Sequence, residues 1–254
     1  MKKRHLVYAI ALIVGMGACA ASAKKQAEAK PDVWKSYNVG TVLFEDKASE
    51  TKGSDIYHRI IPDAESYIKE QARTVLATLY NSPEDSITPV NKIHYTLEDI
   101  EGISAKGGGN GDVTIFYSTR HIEKSFAEND TAKLFFETRG VLLHELTHAY
   151  QLEPQGIGSY GTNRVFWAFI EGMADAVRVA NGGFDGPNAR PKGGNYMDGY
   201  RTAGYFFVWL RDNKDPEFLR KFNRSTLEVI PWSFDGAIKH VLGDEYNIDE
   251  LWHE

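Results

Sequence analysis

The stretch "GVLLHELTHAYQ", Gly140–Gln151, constrains this chain more than any other. It sets two histidines four residues apart, His144 and His148, with Glu145 directly after the first. On a helix turning about 100° per residue, His148 falls about 40° and Glu145 about 100° from His144, so all three share one side. The opposite arc carries Phe135, Leu142, Leu143, Leu146, Ala149 and Tyr150. A fold built on this segment must bury that apolar arc while three titratable groups converge elsewhere on the same helix. Such a cluster is costly to desolvate unless something satisfies it.

A zinc ion satisfies it. Two imidazole nitrogens one helical turn apart reach a single tetrahedral ion at about 2.0–2.1 Å. Glu145, one residue on, is aimed past the ion at water, where a carboxylate serves as general base during attack on a carbonyl. That is the chemical content of a His-Glu-x-x-His helix. A third ligand is then required, and "VFWAFIEGMADAVRVA", Val165–Ala180, supplies a candidate. This segment is apolar nearly all round yet holds Glu171 and Asp175 four residues apart on one side. Unpaired burial of either carboxylate would cost about several kcal/mol, so both need partners. Glu171 is predicted to be the third zinc ligand. Asp175 is predicted to accept from the free ring nitrogen of one ligand histidine, His144, with Arg178 as its competing partner. Ala168, Gly172 and Ala174 predict close approach to the first helix. Pro154 occupies the place where a third ligand histidine would fall in the longer form of the motif.

Three blocks, "HELTHAYQ" (His144–Gln151), "IEGMADAVR" (Ile170–Arg178) and "DGYRTAGYFFVWL" (Asp198–Leu210), give the chain a resemblance to a known family. It resembles the plant and bacterial basic secretory protein peptidases, a branch of the glutamate-ligand zinc peptidases, over about residues 32–242. The resemblance implies a zincin-like fold, His144, His148 and Glu171 as ligands, Glu145 as catalytic base, and peptide or protein substrates. The chain departs from the family name in its charge, which is −6 overall.

The first residues are read as an export signal: basic "MKKRH", apolar "LVYAIALIV", then small "ACAASA" before Lys24. Cleavage after Ala23 makes residues 1–23 a signal peptide, 24–31 a polar tether and 32–254 one peptidase domain. The alternative is that "MGAC" marks a lipoprotein anchored through Cys19. Cys19 is the chain's one cysteine, so the mature protein has neither disulfides nor cysteine-held metal. Three cations and no acid leave with the signal, taking −6 to −9 and arguing against a nucleic-acid partner. No second apolar run is long enough to span a bilayer.

Alternation predicts strands at 39–44, at "KIHYTLED" and at "DVTIFYST", the last as the edge against which a peptide would lie; "SAKGGGNGD" is read as the turn between the last two. Helices are predicted at 54–81 with a break or kink at Pro62, then near 131–151, 164–181, 197–213, 216–224 and 234–242, with a last turn toward Trp252. Strands first and helices after make this an α+β chain, a small N-terminal sheet beside a mostly helical remainder. For the oxyanion of a tetrahedral intermediate, Tyr200 is the first candidate donor, with Tyr160 and Tyr196 as rivals and simple aromatic packing as the competing role. Gln151 is expected to bond the following segment. His58, His94, His121, His240 and His253 lack ligand spacing. The expectation is an exported, monomeric zinc endopeptidase. The alternatives are a non-catalytic surface protein with a structural zinc, or a zinc amidase acting on a cell-wall amide.

Overall fold

The computed structural model describes residues 32–186 and 188–254. The expected signal over 1–23, with Cys19, and the tether over 24–31 lie outside the described residues. Strand β1 (Thr41–Asp46) comes first. Pro62 then divides the helix expected over 54–81 into α1 (Lys52–Ile60) and α2 (Ala64–Leu79). A residue before proline is driven out of the helical region, and Ile61 has φ −131° and ψ 80°. Asp63 restarts the chain as an N-cap, accepting from the Ser66 N–H at 3.0 Å.

β2 (Lys92–Glu98), β3 (Ser104–Gly109) and β4 (Asp112–Ser118) complete a sheet of order β1-β2-β4-β3. β1, β2 and β4 run parallel, and β3 is antiparallel to β4. This corrects two expectations. The glycine run forms a strand, β3, and only Asn110 and Gly111 make the turn, both with left-handed backbone (φ 54° and 84°). Two such residues form the tight connection that matches strand twist, so Asn-Gly here closes a hairpin. Residues 112–118 therefore lie inside the sheet, and β3 is the edge. Glycines have poor strand propensity, but the pairing of Gly107, Gly108 and Gly109 with Thr114, Val113 and Asp112 supplies the order that their side chains cannot.

One face of the sheet is buried. Val42, Ile93, Tyr95, Leu97, Val113, Ile115 and Tyr117 alternate along their strands and are all nearly inaccessible. The stacked rings of Phe44, Tyr57 and Tyr95 tie this face to α1. A short helix, α3 (Thr119–Ser125), leaves β4 directly, capped by Ser118. Then follow α4 (Thr131–Tyr150), α5 (Arg164–Ala180), α6 (Tyr200–Asn213), α7 (Phe218–Glu228), α8 (Phe234–Leu242) and α9 (Ile248–His253). The architecture is α+β, a four-stranded sheet on the N-terminal side and a mostly helical C-terminal part.

α5 packs against both α4 and α6, and small residues set the two distances. Gly140 of α4 faces the Arg178 guanidinium with no room for a Cβ. A Cβ at Gly172 would lie 2.7 Å from Ala203 Cβ, so Gly172 admits α6 rather than, as its sequence position suggested, α4. Behind α5, Phe169 meets Trp232 and Phe222 edge-on at 4.7 and 5.4 Å. Full burial of each such ring contributes about 1.5–3 kcal/mol. This anchorage holds the helix firmly enough to keep two carboxylates in place on its other side.

Candidate metal centre

α4 runs from its Asp130 cap, which accepts from Lys133 N–H at 2.9 Å, to Tyr150. Leu142, Leu143 and Leu146 are fully buried, so the helix is pinned by most of the arc the sequence assigned to the core; Phe135, also assigned to it, is 38 % exposed and lies against the Tyr67 ring instead. His144, Glu145 and His148 turn the other way, into a cleft of about 910 Å³. β3 supplies Ser104, Ala105 and Lys106 to one wall of it, and Tyr160, Phe166 and Tyr200 also line it.

Three acceptor atoms meet at the floor. His144 Nε2 and His148 Nε2 are 3.1 Å apart, and Glu171 Oε2 lies 3.3 Å from the first and 3.6 Å from the second. Glu171 Oε2 is buried and takes no hydrogen bond. Bonds of 2.0–2.1 Å in a tetrahedron put ligand atoms about 3.3–3.4 Å apart, so the spacing fits a small divalent cation. Among the described residues this is the one group of histidine, cysteine and acidic side chains with metal-ligand spacing. These three residues could hold a metal ion.

The remaining atoms of the trio are also engaged. His144 Nδ1 is 2.7 Å from Asp175 Oδ1. Arg178 does not compete for that carboxylate: it pairs with Glu137 at 2.6 Å and lies 3.8 Å over the Phe184 ring. Tyr160 Oη donates to Glu171 Oε1 at 2.5 Å. His148 Nδ1 is 2.8 Å from the Gln151 amide. Burial pulls the His144 pKa down, but the Asp175 hydrogen bond, the Glu171 carboxylate 3.3 Å away and the charges of Asp175 and Glu145 outweigh it and raise the ring to about 10. Burial likewise raises Glu171, yet the two imidazoles carry it far below the carboxylate range.

Glu145 sits at 6 % exposure with no hydrogen bond holding its carboxylate among the described residues. It is buried, acidic and beside the trio. Tyr200, at the start of α6, has its ring stacked on His144 (6.0 Å, 14°) and edge-on to Trp167 (5.4 Å). Its φ is 43°, a left-handed conformation costing a bulky L-residue about 1–2 kcal/mol. Strain of this kind persists where the surroundings dictate it and gathers at functional sites. The hydroxyl of the rival Tyr196 donates to Asp249 at 3.0 Å. The phenols of Tyr160 and Tyr200 are both pushed up, first by burial, then by Glu171, so each remains a donor at neutral pH.

His58, His94, His121 and His240 pair with Asp46, Glu45, Glu137 and Glu228, away from the trio. Gln151 was expected to bond the next segment; instead its side chain turns back onto His148. Its i,i+3 spacing from that histidine was the available signal, though the spacing alone does not distinguish a tether from a cap.

A family model described as BSP, peptidase of plants and bacteria, matches residues 39–254. No curated protein and no solved structure gives a match.

Proposed function

The chain belongs to this family of plant and bacterial peptidases, and from that membership we propose that it is an exported zinc endopeptidase. The observation that carries the reading is the convergence of His144 Nε2, His148 Nε2 and Glu171 Oε2 within 3.1–3.6 Å at the floor of the cleft, with Glu145 beside them. His144, His148 and Glu171 would hold the zinc. Bound there, zinc supplies Lewis acidity that polarises a substrate carbonyl and eases deprotonation of water.

Every other part of the reaction falls to the chain's own groups. Glu145 takes the proton of the attacking water and returns it to the leaving amine nitrogen. Tyr200, held over His144, donates to the carbonyl oxygen as negative charge develops there. Asp175 holds His144 Nδ1–H and so keeps Nε2 as an acceptor. β3 offers its unpaired edge to an extended peptide, main chain to main chain. Glycines along that edge leave space for a substrate backbone to approach. Residues 1–23 would direct export, by cleavage after Ala23 or through acylation at Cys19, with 24–31 as tether and 32–254 as the catalytic domain. No helix among the described residues is long and apolar enough to cross a membrane.

The test is Glu145→Ala, with zinc content measured by atomic spectroscopy and hydrolysis measured on a quenched fluorescent peptide library. The expected result is one zinc per chain in both proteins and a loss of hydrolysis of about 10²–10⁴-fold in the variant. Retained hydrolysis refutes the role of Glu145. A wild-type protein that binds no metal refutes the zinc reading.

A further inference from the structure

Gln151 caps the C-terminal end of α4 and is 4 % exposed. Its backbone is fixed from both sides: its N–H donates to Thr147 O, and its carbonyl accepts from Thr88 Oγ1 at 3.2 Å. The side chain makes one hydrogen bond, with its Nε2 placed 2.8 Å from His148 Nδ1, and its Oε1 is buried without a partner. Leaving a buried amide group unpaired costs about 1–3 kcal/mol. A long, flexible, polar side chain is thus confined in the core for one contact, and that contact is with a residue of the trio.

The sense of this hydrogen bond matters. The two ends of an amide have the same shape and are told apart only by what surrounds them. With the nitrogen toward His148, the amide donates to Nδ1; the proton of the neutral ring then sits on Nε2, pointing at His144 Nε2 and Glu171 Oε2. With the oxygen toward His148, the amide accepts from Nδ1–H, and Nε2 presents a lone pair to the same point. Either orientation leaves one amide terminus unpaired, so the protein gains nothing on that account from the choice. Only the second makes His148 match His144, whose Nδ1–H is held by Asp175.

We infer that Gln151 is a positioning residue for His148, its carbonyl oxygen accepting from Nδ1–H and so fixing Nε2 as the metal-facing atom. The inference rests on the zinc reading of the trio. It also gives the site an asymmetric frame: a carboxylate behind one histidine and a neutral amide behind the other. With three buried carboxylates, Glu145, Glu171 and Asp175, already lining the site, an uncharged acceptor at 151 orients the second ring without adding a further negative charge.

The experiment compares wild type, Gln151→Glu and Gln151→Leu for zinc affinity, by competition with a chromogenic chelator at pH 7.5. Folding is checked by thermal melting of the metal-free proteins. Glutamate can accept but, ionised, cannot donate; leucine does neither. The inference predicts that Gln151→Leu weakens zinc binding about 10–100-fold, while Gln151→Glu binds as tightly as wild type or tighter. A residue that only fills space, or that donates to Nδ1, predicts the reverse order, with the glutamate variant the weaker. That order overturns the inference and leaves the zinc reading standing. An independent readout needs no variant: in zinc-loaded wild type, long-range ¹H–¹⁵N spectra should show a His148 Nδ1 proton protected from solvent exchange. A rapidly exchanging Nδ1 proton overturns the inference. Wild type without zinc overturns both it and the reading beneath it.

Discussion

Replacing Asp175 by asparagine isolates the charge behind His144 while keeping the shape. The bond it alters is 2.7 Å long and nearly dry: the Asp175 side chain is 5 % and the His144 side chain 14 % exposed. Solvent therefore screens it little, and the exposed-pair discount does not apply. Asparagine can still accept from Nδ1–H, so the loss is the difference between an ionic and a neutral hydrogen bond, about 1–1.5 kcal/mol. That is about tenfold in affinity, at the lower end of the 10–100-fold seen when such supporting groups are changed. Chelator competition should show zinc affinity falling by about that factor. The metal-free protein provides a second measure. His144 has a folded pKa raised from 6.5 to about 10, so the stability it contributes is complete below pH 6.5 and is lost as pH climbs toward 10. Metal-free wild type should consequently lose more thermal stability between pH 6 and pH 9 than Asp175→Asn does. Equal zinc affinity together with equal pH dependence would refute the assignment of Asp175 as the group that holds His144.

Tyr200→Phe keeps the ring over His144 and removes only the hydroxyl. Steady-state kinetics should show kcat falling about 3–10-fold, the value of one neutral hydrogen bond, with KM little changed; an unchanged kcat removes Tyr200 from the reaction. Glu137 is half-buried beside Arg178 and His121. Burial raises its pKa, but the His121 hydrogen bond and the Arg178 charge outweigh this and leave it depressed. Its stabilisation is thus present above the ordinary carboxylate value of about 4.3 and disappears as pH falls below it. Urea midpoints at pH 3 and pH 6 should differ more in wild type than in Glu137→Gln, and identical differences would count against the pair. Gly172→Val forces a Cβ into the 2.7 Å gap to Ala203 and Phe207. Overpacking costs about 1–3 kcal/mol, more than the few tenths by which valine improves on glycine as a helix former, so the melting temperature should fall. A higher one would mean that α5 and α6 are less tightly apposed.

The helical half was legible because its helices either bury one broad arc, as α4 does, or are apolar nearly all round and buried over most of their length, as α5 is. Periodicity in α4 and α8 fixes which side faces inward, and polar caps such as Asp130, Asn163 and Ser233 mark where α4, α5 and α8 begin. Asp175 was legible for a related reason. A carboxylate in an apolar helix has to be explained, and few partners can do so. α3 escaped notice because "TRHIEKS" is too short to show a period and buries only Thr119 and Ile122. β3 escaped because its order comes from outside it: three successive glycines carry no pattern of their own and become a strand only against Thr114, Val113 and Asp112.

The same contrast separates the two residues behind the histidines. Asp175 announces itself by its charge, whereas Gln151 is neutral, stands at a helix end where polar residues are ordinary, and matters only through which end of its amide meets His148. Sequence reasoning weighs the cost of burying a group, and that cost is large for a carboxylate and small for an amide. Positions that act through hydrogen-bond direction rather than charge are therefore hidden until the geometry is known. At this site the hidden residue sits 2.8 Å from a ring nitrogen, close enough for the direction of a single proton to decide whether three acceptors or two face the cation.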